Sequence, residues 1–252
     1  MNTNDSLGDR MKRYELSSRT QLCQRLPVII RVDGKAFHTY TRNLARPFDS
    51  QFNSVMDIVA NRLCEEIDGA QVAYIQSDEI SVLVHGYKRL QTTPWFDNQV
   101  QKMVSVSAGV ASAYFTEASS AIFGAVRPAV FDSRVFVVPE RDVCNYFIWR
   151  QNDASRNSLQ MLARSLYSHK QLHEKGREEL HELIHAKGQN WNNMPTSLKR
   201  GRCVVREETV SEQVTPDGVN VVVRHNWVVD NETPIFTSDR QYIEKFLATE
   251  ET

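Results

Sequence analysis

Two short acidic segments carry the residue types that could do chemistry, Arg31-Val32-Asp33-Gly34-Lys35-Ala36-Phe37-His38 and Gln76-Ser77-Asp78-Glu79. Magnesium keeps several waters and takes only one or two protein carboxylates beside a substrate's phosphates. Two aspartates brought together are therefore what a two-metal phosphoryl-transfer site needs. The pairing points to nucleotidyl transfer. Taken singly, an Asp-Gly pair is a common turn and Ser-Asp-Glu a common polar loop. Their joint placement on neighbouring strand ends is what carries the reading.

The elements that must position them are legible around them. Residues 27–32 are a continuous Val/Ile-rich run, the pattern of a strand buried on both faces, and Gly34 follows where the backbone must turn. Residues 71–75 and 79–85 read as two further strands, which makes Gln76-Ser77-Asp78 a tight hairpin turn. In residues 48–67, Phe52, Val55, Met56, Val59, Ala60, Leu63 and Cys64 recur at helical spacing. Residues 95–115 repeat that pattern, and residues 133–138 supply a fourth strand ahead of Pro139. The order β-α-β-β-α-β predicts an α+β fold of the ferredoxin-like kind, an antiparallel sheet with both helices on one face. There the outgoing end of the first strand lies beside the central hairpin turn, so Asp33 meets Asp78 in the layout of a polymerase palm.

Four segments in order, Arg-x-Asp-Gly-x-x-Phe-His, Gln-Ser-Asp-Glu, Phe131-Asp132-Ser133-Arg134 and Trp149-Arg150-Gln151-Asn152-Asp153, resemble the catalytic-domain signature of the tRNA(His) guanylyltransferase family. The resemblance implies a 3′-to-5′ nucleotide polymerase that activates an RNA 5′ end and joins it to an incoming nucleotide, with ATP and GTP as substrates. It also implies two magnesium ions held by Asp33, the Gly34 carbonyl and Asp78, with Glu79 a further acidic residue of the catalytic set. Nucleotide and triphosphate contacts would come from Asp33, Gly34, Lys35, Ala36, Phe37, His38, Ser77 and Asp78. Arg46 stands where relatives often carry Lys, Lys102 matches a basic position near phosphate, and Asn157 is retained.

One departure bears on substrate. Ser155-Arg156-Asn157-Ser158-Leu159-Gln160 stands where the guanosine-adding eukaryotic enzymes continue His-Ile-Asn-Asn-Leu-Tyr, and only Asn157 and Leu159 match. This form is similar to the bacterial and phage-type "like" branch, which implies templated repair of tRNA with a truncated 5′ end. The alternatives are addition of a single guanosine to tRNA(His), a palm-fold nucleotide cyclase, and a non-catalytic RNA-binding protein. The resemblance implies a homotetramer as well.

With 252 residues and 41% hydrophobic content the chain can bury a substantial core. We divide it into a palm-like catalytic domain, residues 1–139, and a helical and β-hairpin region, residues 140–252, that packs on it and contributes RNA contacts. Cys23, Cys64, Cys144 and Cys203 form no CxxC, the first residues lack an apolar signal core, and no membrane-length apolar stretch occurs. The expectation is a cytoplasmic protein with no membrane partner. A net charge of −1 excludes a strongly basic nucleic-acid binder, so an RNA surface must be local. Lys199, Arg200, Arg202 and Arg206 form the densest basic cluster, and Arg150, Arg156 and Arg164 punctuate the helix after the palm. Either set could be a solvated face; beside a palm we assign them to phosphate.

Helices are expected over residues 11–22, 140–168 and 171–186, the second with Trp149, Leu159, Leu162 and Leu166 on its apolar side and the third interrupted by Gly176. Pro216-Asp217-Gly218 marks a hairpin between strands at residues 202–206 and 219–225, and Ser238 caps a final helix. His181-Glu182-Leu183-Ile184-His185 matches the zinc-peptidase pattern H-E-x-x-H. Charged Glu179 and Lys187 and the lack of a third ligand at familiar spacing favour an amphipathic surface helix instead, with Leu180, Leu183 and Ile184 inward.

Overall fold

The computed structural model describes residues 6–87, 91–215 and 218–248, with the side chains of 210–223 excepted. In chain order the elements are α1 (Leu7–Ser17), β1 (Val28–Gly34), α2 (Phe37–Tyr40), α3 (Ser50–Glu66), β2 (Ala70–Gln76) and β3 (Glu79–Val84). A 3-10 turn (Trp95–Asn98), α4 (Val100–Phe123), β4 (Phe131–Val137) and α5 (Glu140–Leu166) follow. The chain continues through α6 (His169–Leu172), α7 (Arg177–Ala186), α8 (Thr196–Arg200), β5 (Arg202–Thr215), β6 (Gly218–Asp230) and α9 (Gln241–Glu244).

The sheet has the strand order β4-β1-β3-β2-β5-β6, antiparallel throughout. Its first four strands are the expected ferredoxin-like unit, and the C-terminal hairpin extends it by pairing β5 with β2 over Val72–Ile75. Alternation along β1 sends Val28, Ile30 and Val32 to the face covered by α3 and α4, where Val55, Met56, Val59, Leu63, Met103 and Phe115 complete the core. Ile29 points the other way and joins Val72, Tyr74 and Leu83 under Val143, Cys144 and Phe147 of α5. Both faces are thus covered, which is why the central strands read as continuous apolar runs.

Several boundaries differ from the expectation for local reasons. Helix α1 starts early because the Ser6 hydroxyl accepts from the Asp9 N–H. The helix expected from Trp95 begins only at Val100, since Phe96, Asp97 and Asn98 all have positive φ, and it runs on to Gly124, whose φ of 72° closes it. The final helix is not capped by Ser238; the Asp239 carboxylate accepts from the Tyr242 N–H instead. Gly176 begins α7, with the Glu179 carboxylate accepting from its N–H at 2.9 Å. The hairpin strands are far longer than expected, and Pro216 and Asp217 of its turn lie outside the described residues. Among the described residues no helix is long and apolar enough to cross a membrane.

Candidate active site

The ladder between β1 and β3 places Asp33 opposite Glu79, and the ladder between β1 and β4 places it opposite Asp132. The Gly34 N–H donates to the Asp78 carbonyl at 3.1 Å, so the end of β1 and the β2–β3 turn are tied together and their aspartates share one mouth. Ser77 has a φ of 49°, a left-handed conformation seldom adopted by a residue other than glycine, of the strained kind that clusters at functional sites. Gly34 is required by packing: a Cβ there would come within 2.4 Å of the Phe37 ring. That ring is buried among Tyr40, Phe52, Phe115 and Phe131. It is therefore a core residue, and only its backbone remains for the nucleotide contact expected of Phe37.

The electrostatics suit a cation. Burial, followed by the charges of Asp78, Glu79 and Asp132, pushes Asp33 up to about 6, with Arg134 opposing. Burial also raises Asp78, against hydrogen bonds from its own N–H and the Ser77 hydroxyl, while the charge of Glu79 adds to the rise. Two carboxylates strained toward protonation, beside the Gly34 carbonyl, are a hard-oxygen donor set that fits magnesium. Among the described residues no group of three or more His, Cys, Asp or Glu could hold a metal by itself. A two-aspartate site that also draws on substrate phosphates is consistent with that.

Glu79 occupies a different position. Its Oε1 and Oε2 accept from Arg150 Nε and Nη2 at 2.7 and 2.8 Å, and Gln76 Nε2 donates to Oε1 at 3.1 Å. Arg150 also donates to Asp153 at 3.0 Å, and Asp153 in turn accepts from Arg156 and, at 3.3 Å, from Asn157. Glu79 thus pins the turn carrying Asp78 to α5.

A cleft of about 550 Å³ opens from Asp33, Ser77, Asp78 and Glu79 and runs along α5 past Asn157 and Met161 to Arg164, with His38, Arg42 and Arg46 on the opposite wall. A smaller recess of about 350 Å³ is lined by Gly34, Ala36, Phe37, His38, Ser77 and Asp78. Of the sequence-predicted residues, Asp33, Gly34, Ala36, Phe37, His38, Arg46, Ser77, Asp78, Glu79 and Asn157 line these two spaces. Lys35 and Lys102 do not. Lys35 is exposed and its N–H donates to the Val130 carbonyl at 2.8 Å. Along α4, Ser107 meets Ser133 at 2.7 Å and Ser112 accepts from the Phe131 N–H beside Gly34. Lys102 lies about 15 Å further back along the axis of α4 than Ser112, with its ammonium over the Phe96 ring.

The basic cluster is partly consumed by the fold. Arg202 is buried and donates to the Asp57 carboxylate and, at 2.8 Å, to the Asn53 carbonyl, so it joins the hairpin to α3 and does not reach phosphate. Lys199 Nζ donates to the Asn192 carbonyl at 2.7 Å. Trp149, expected on the apolar side of α5, is 54% exposed, because the inward stripe runs Val143, Phe147, Arg150, Ala154 and leaves it on the flank. Sequence reasoning gave no role to Asp132 or Arg42. The signature segment Phe131-Asp132-Ser133-Arg134 was the available signal for the first, and Arg42 had none beyond its charge. In α7 the His181 ring stands edge-on to Trp191 at 5.6 Å, Leu180 and Ile184 pack against α5, and His185 is exposed.

Comparison with known proteins agrees with this geometry. Residues 8–139 match the family model described as tRNAHis guanylyltransferase. A bacterial tRNA(His) guanylyltransferase-like protein solved in complex with ATP is 42% identical, with a TM-score of 0.86 over 96% of this chain and 99% of that one. One solved in complex with GTP is 40% identical, with a TM-score of 0.78 over the same shares. The probable tRNA(His) guanylyltransferase of Homo sapiens is 34% identical over 52% of this chain and 45% of its own length. The palm-like fold and the nucleotidyltransferase class read from the sequence are those of these relatives, and the chain belongs to the tRNA(His) guanylyltransferase family.

Proposed function

We propose that the protein is a magnesium-dependent 3′-to-5′ nucleotidyltransferase that activates the 5′ end of an RNA and extends it against a template, repairing tRNAs that have lost 5′ nucleotides. The observation that carries this reading is the convergence of Asp33 and Asp78 at one end of a cleft whose other walls carry Arg42, Arg46 and Arg164. Magnesium, when bound by Asp33, Asp78 and the Gly34 carbonyl, supplies the positive charge that offsets a triphosphate and favours the attacking hydroxyl. The chain's own groups do the rest. Among the described residues no main-chain acceptor takes the N–H groups of Phe37 and His38 at the start of α2, and since both residues line the recess these groups are the donors offered to phosphate oxygens. Arg42, Arg46 and Arg164 hold the outgoing phosphates and the RNA backbone, and Arg150, through Glu79, keeps Asp78 in place.

The repair branch is supported by the longer and closer similarity to the bacterial "like" proteins than to the human enzyme. Within the diagnostic segment, Ser158 is structural, accepting from Trp191 Nε1 at 3.0 Å and donating to the Leu198 carbonyl at 2.6 Å. Asn157 lines the cleft. A homotetramer belongs to the same proposal: Lys102 is exposed and remote from its own cleft, so a phosphate contact from it needs a neighbouring subunit. The test is incubation with ATP, GTP, magnesium and a tRNA transcript lacking its first nucleotide. The reading expects an RNA lengthened at its 5′ end; an unchanged RNA under these conditions contradicts it.

A further inference from the structure

Trp149 stands on α5 between the partly buried Ile148 and the buried Arg150, yet it is 54% exposed. Arg150, next in sequence, stacks its guanidinium 4.4 Å from the ring centroid, and Arg31 approaches at 5.9 Å. Arg31 sits on β1, two residues before Asp33 and so on the same sheet face, with its Nε buried and without a hydrogen-bond partner among the described residues. Directly across the ladder lies Arg134, half exposed, close enough for its charge to act on Asp33. Its ion pair with Asp132, at 3.2 Å, is exposed and costs little to release. Tyr146 supports the indole edge-on at 5.8 Å. This shelf of one half-exposed aromatic ring and two guanidinium groups lies outside the cleft lined by Arg42, Arg46 and Arg164.

From this geometry we infer that Trp149, Arg31 and Arg134 form a stacking platform for an unpaired base of the RNA substrate next to the reacting 5′ end, with Arg134 on the adjoining phosphate. Single-stranded nucleic acid is bound by this combination, because every base has a stacking face and every linkage a charge. The two arginines match RNA in charge, which sets the shelf apart from an apolar face awaiting a second copy of the chain. The inference rests on the proposed RNA substrate, and its test is a binding measurement that does not need turnover.

The experiment uses fluorescence anisotropy of a labelled tRNA transcript lacking its first nucleotide, with wild type, Trp149→Ala, Trp149→Phe and Arg134→Gln, each checked for an unchanged melting temperature. Trp149→Ala should weaken binding about tenfold and raise the KM for RNA in parallel, with the KM for GTP moving less than that for RNA; Trp149→Phe should recover most of the loss. Arg134→Gln should reduce the slope of log affinity against log salt by about 0.7. Unchanged RNA affinity in Trp149→Ala overturns the platform. So does a change in molar mass by light scattering without an effect on RNA, which would make the ring a contact between copies. Wild-type binding without extension would contradict the proposed reaction and leave the platform supported by its own variants.

Discussion

Asp33 is held above its ordinary range because it is buried and faces three other carboxylates. In the metal-free protein its folded value of about 6 exceeds the unfolded value, so the native state binds the proton more tightly. This group therefore favours folding more as pH falls from about 6 towards 4 and penalises it above. Asp33→Asn should raise the metal-free melting temperature at pH 7, raise it less at pH 5, and abolish stabilisation by added magnesium. Nucleotide addition should fall about a hundredfold or more in the same variant. Calorimetry at two pH values with and without magnesium checks the stability effects and a turnover assay the last, and equal melting temperatures for wild type and variant at pH 7 would show that the carboxylate is not strained. Gly34 offers a second test at this scale. Gly34→Ala drives a Cβ into the Phe37 ring, so it should lower both stability and activity. The Asp-Gly-x-x-Phe spacing was legible as a motif. That the phenyl ring packs on the glycine was not, because it depends on an aromatic cluster drawn from α3, α4 and β4.

At the scale of elements, helix α5 closes the second face of the sheet and fixes the β2–β3 turn through Arg150 and Glu79. Removing Arg150 leaves the buried Glu79 charge uncompensated, at about 3–5 kcal/mol, whereas removing Glu79 leaves Arg150 its second partner Asp153 and should cost less. Arg150→Met should be strongly destabilising and Glu79→Leu less so. The double variant Arg150→Met/Glu79→Leu should recover much of the stability while activity stays low, because Asp78 has lost its anchor. A denaturant cycle over the three variants measures this, and a fully active double variant would remove the positioning role. The order of the first four strands was legible from periodicity and turn signals alone. The part played by α5 was not: Arg150 and Gln151 sit on its buried stripe, and a polar residue facing inward is invisible to an apolar pattern. Helix α7 shows the converse, a motif match without its context. His181→Ala and His185→Ala should leave nucleotide addition nearly intact, and one zinc per chain by elemental analysis would overturn that reading.

Across the whole molecule, the C-terminal hairpin is part of the sheet that carries the site, since β5 pairs with β2 and Arg202 locks it to α3. Its contribution could not be read from the sequence, where Arg202 looks like one more cation in a basic run and is in fact the partner of Asp57, which lies on a different element far away in the chain. Arg202→Met should lower stability by about 3 kcal/mol by leaving the partly buried Asp57 unpaired, and a change within error by chemical denaturation would contradict the assignment. The cleft, by contrast, follows from the strand order: once β1 lies between β3 and β4, its outgoing end must bring Asp33 to Asp78. The central claim is that this cleft adds nucleotides to an RNA 5′ end under the direction of the opposing base. Its most direct test compares rates of addition on four truncated tRNAs that differ only in the templating base, with intact tRNA(His) as the fifth substrate and all four nucleoside triphosphates present. The account predicts incorporation of the complementary nucleotide in each case and slower addition to the intact tRNA. Guanosine added whatever the opposing base, or a preference for intact tRNA(His), would contradict it.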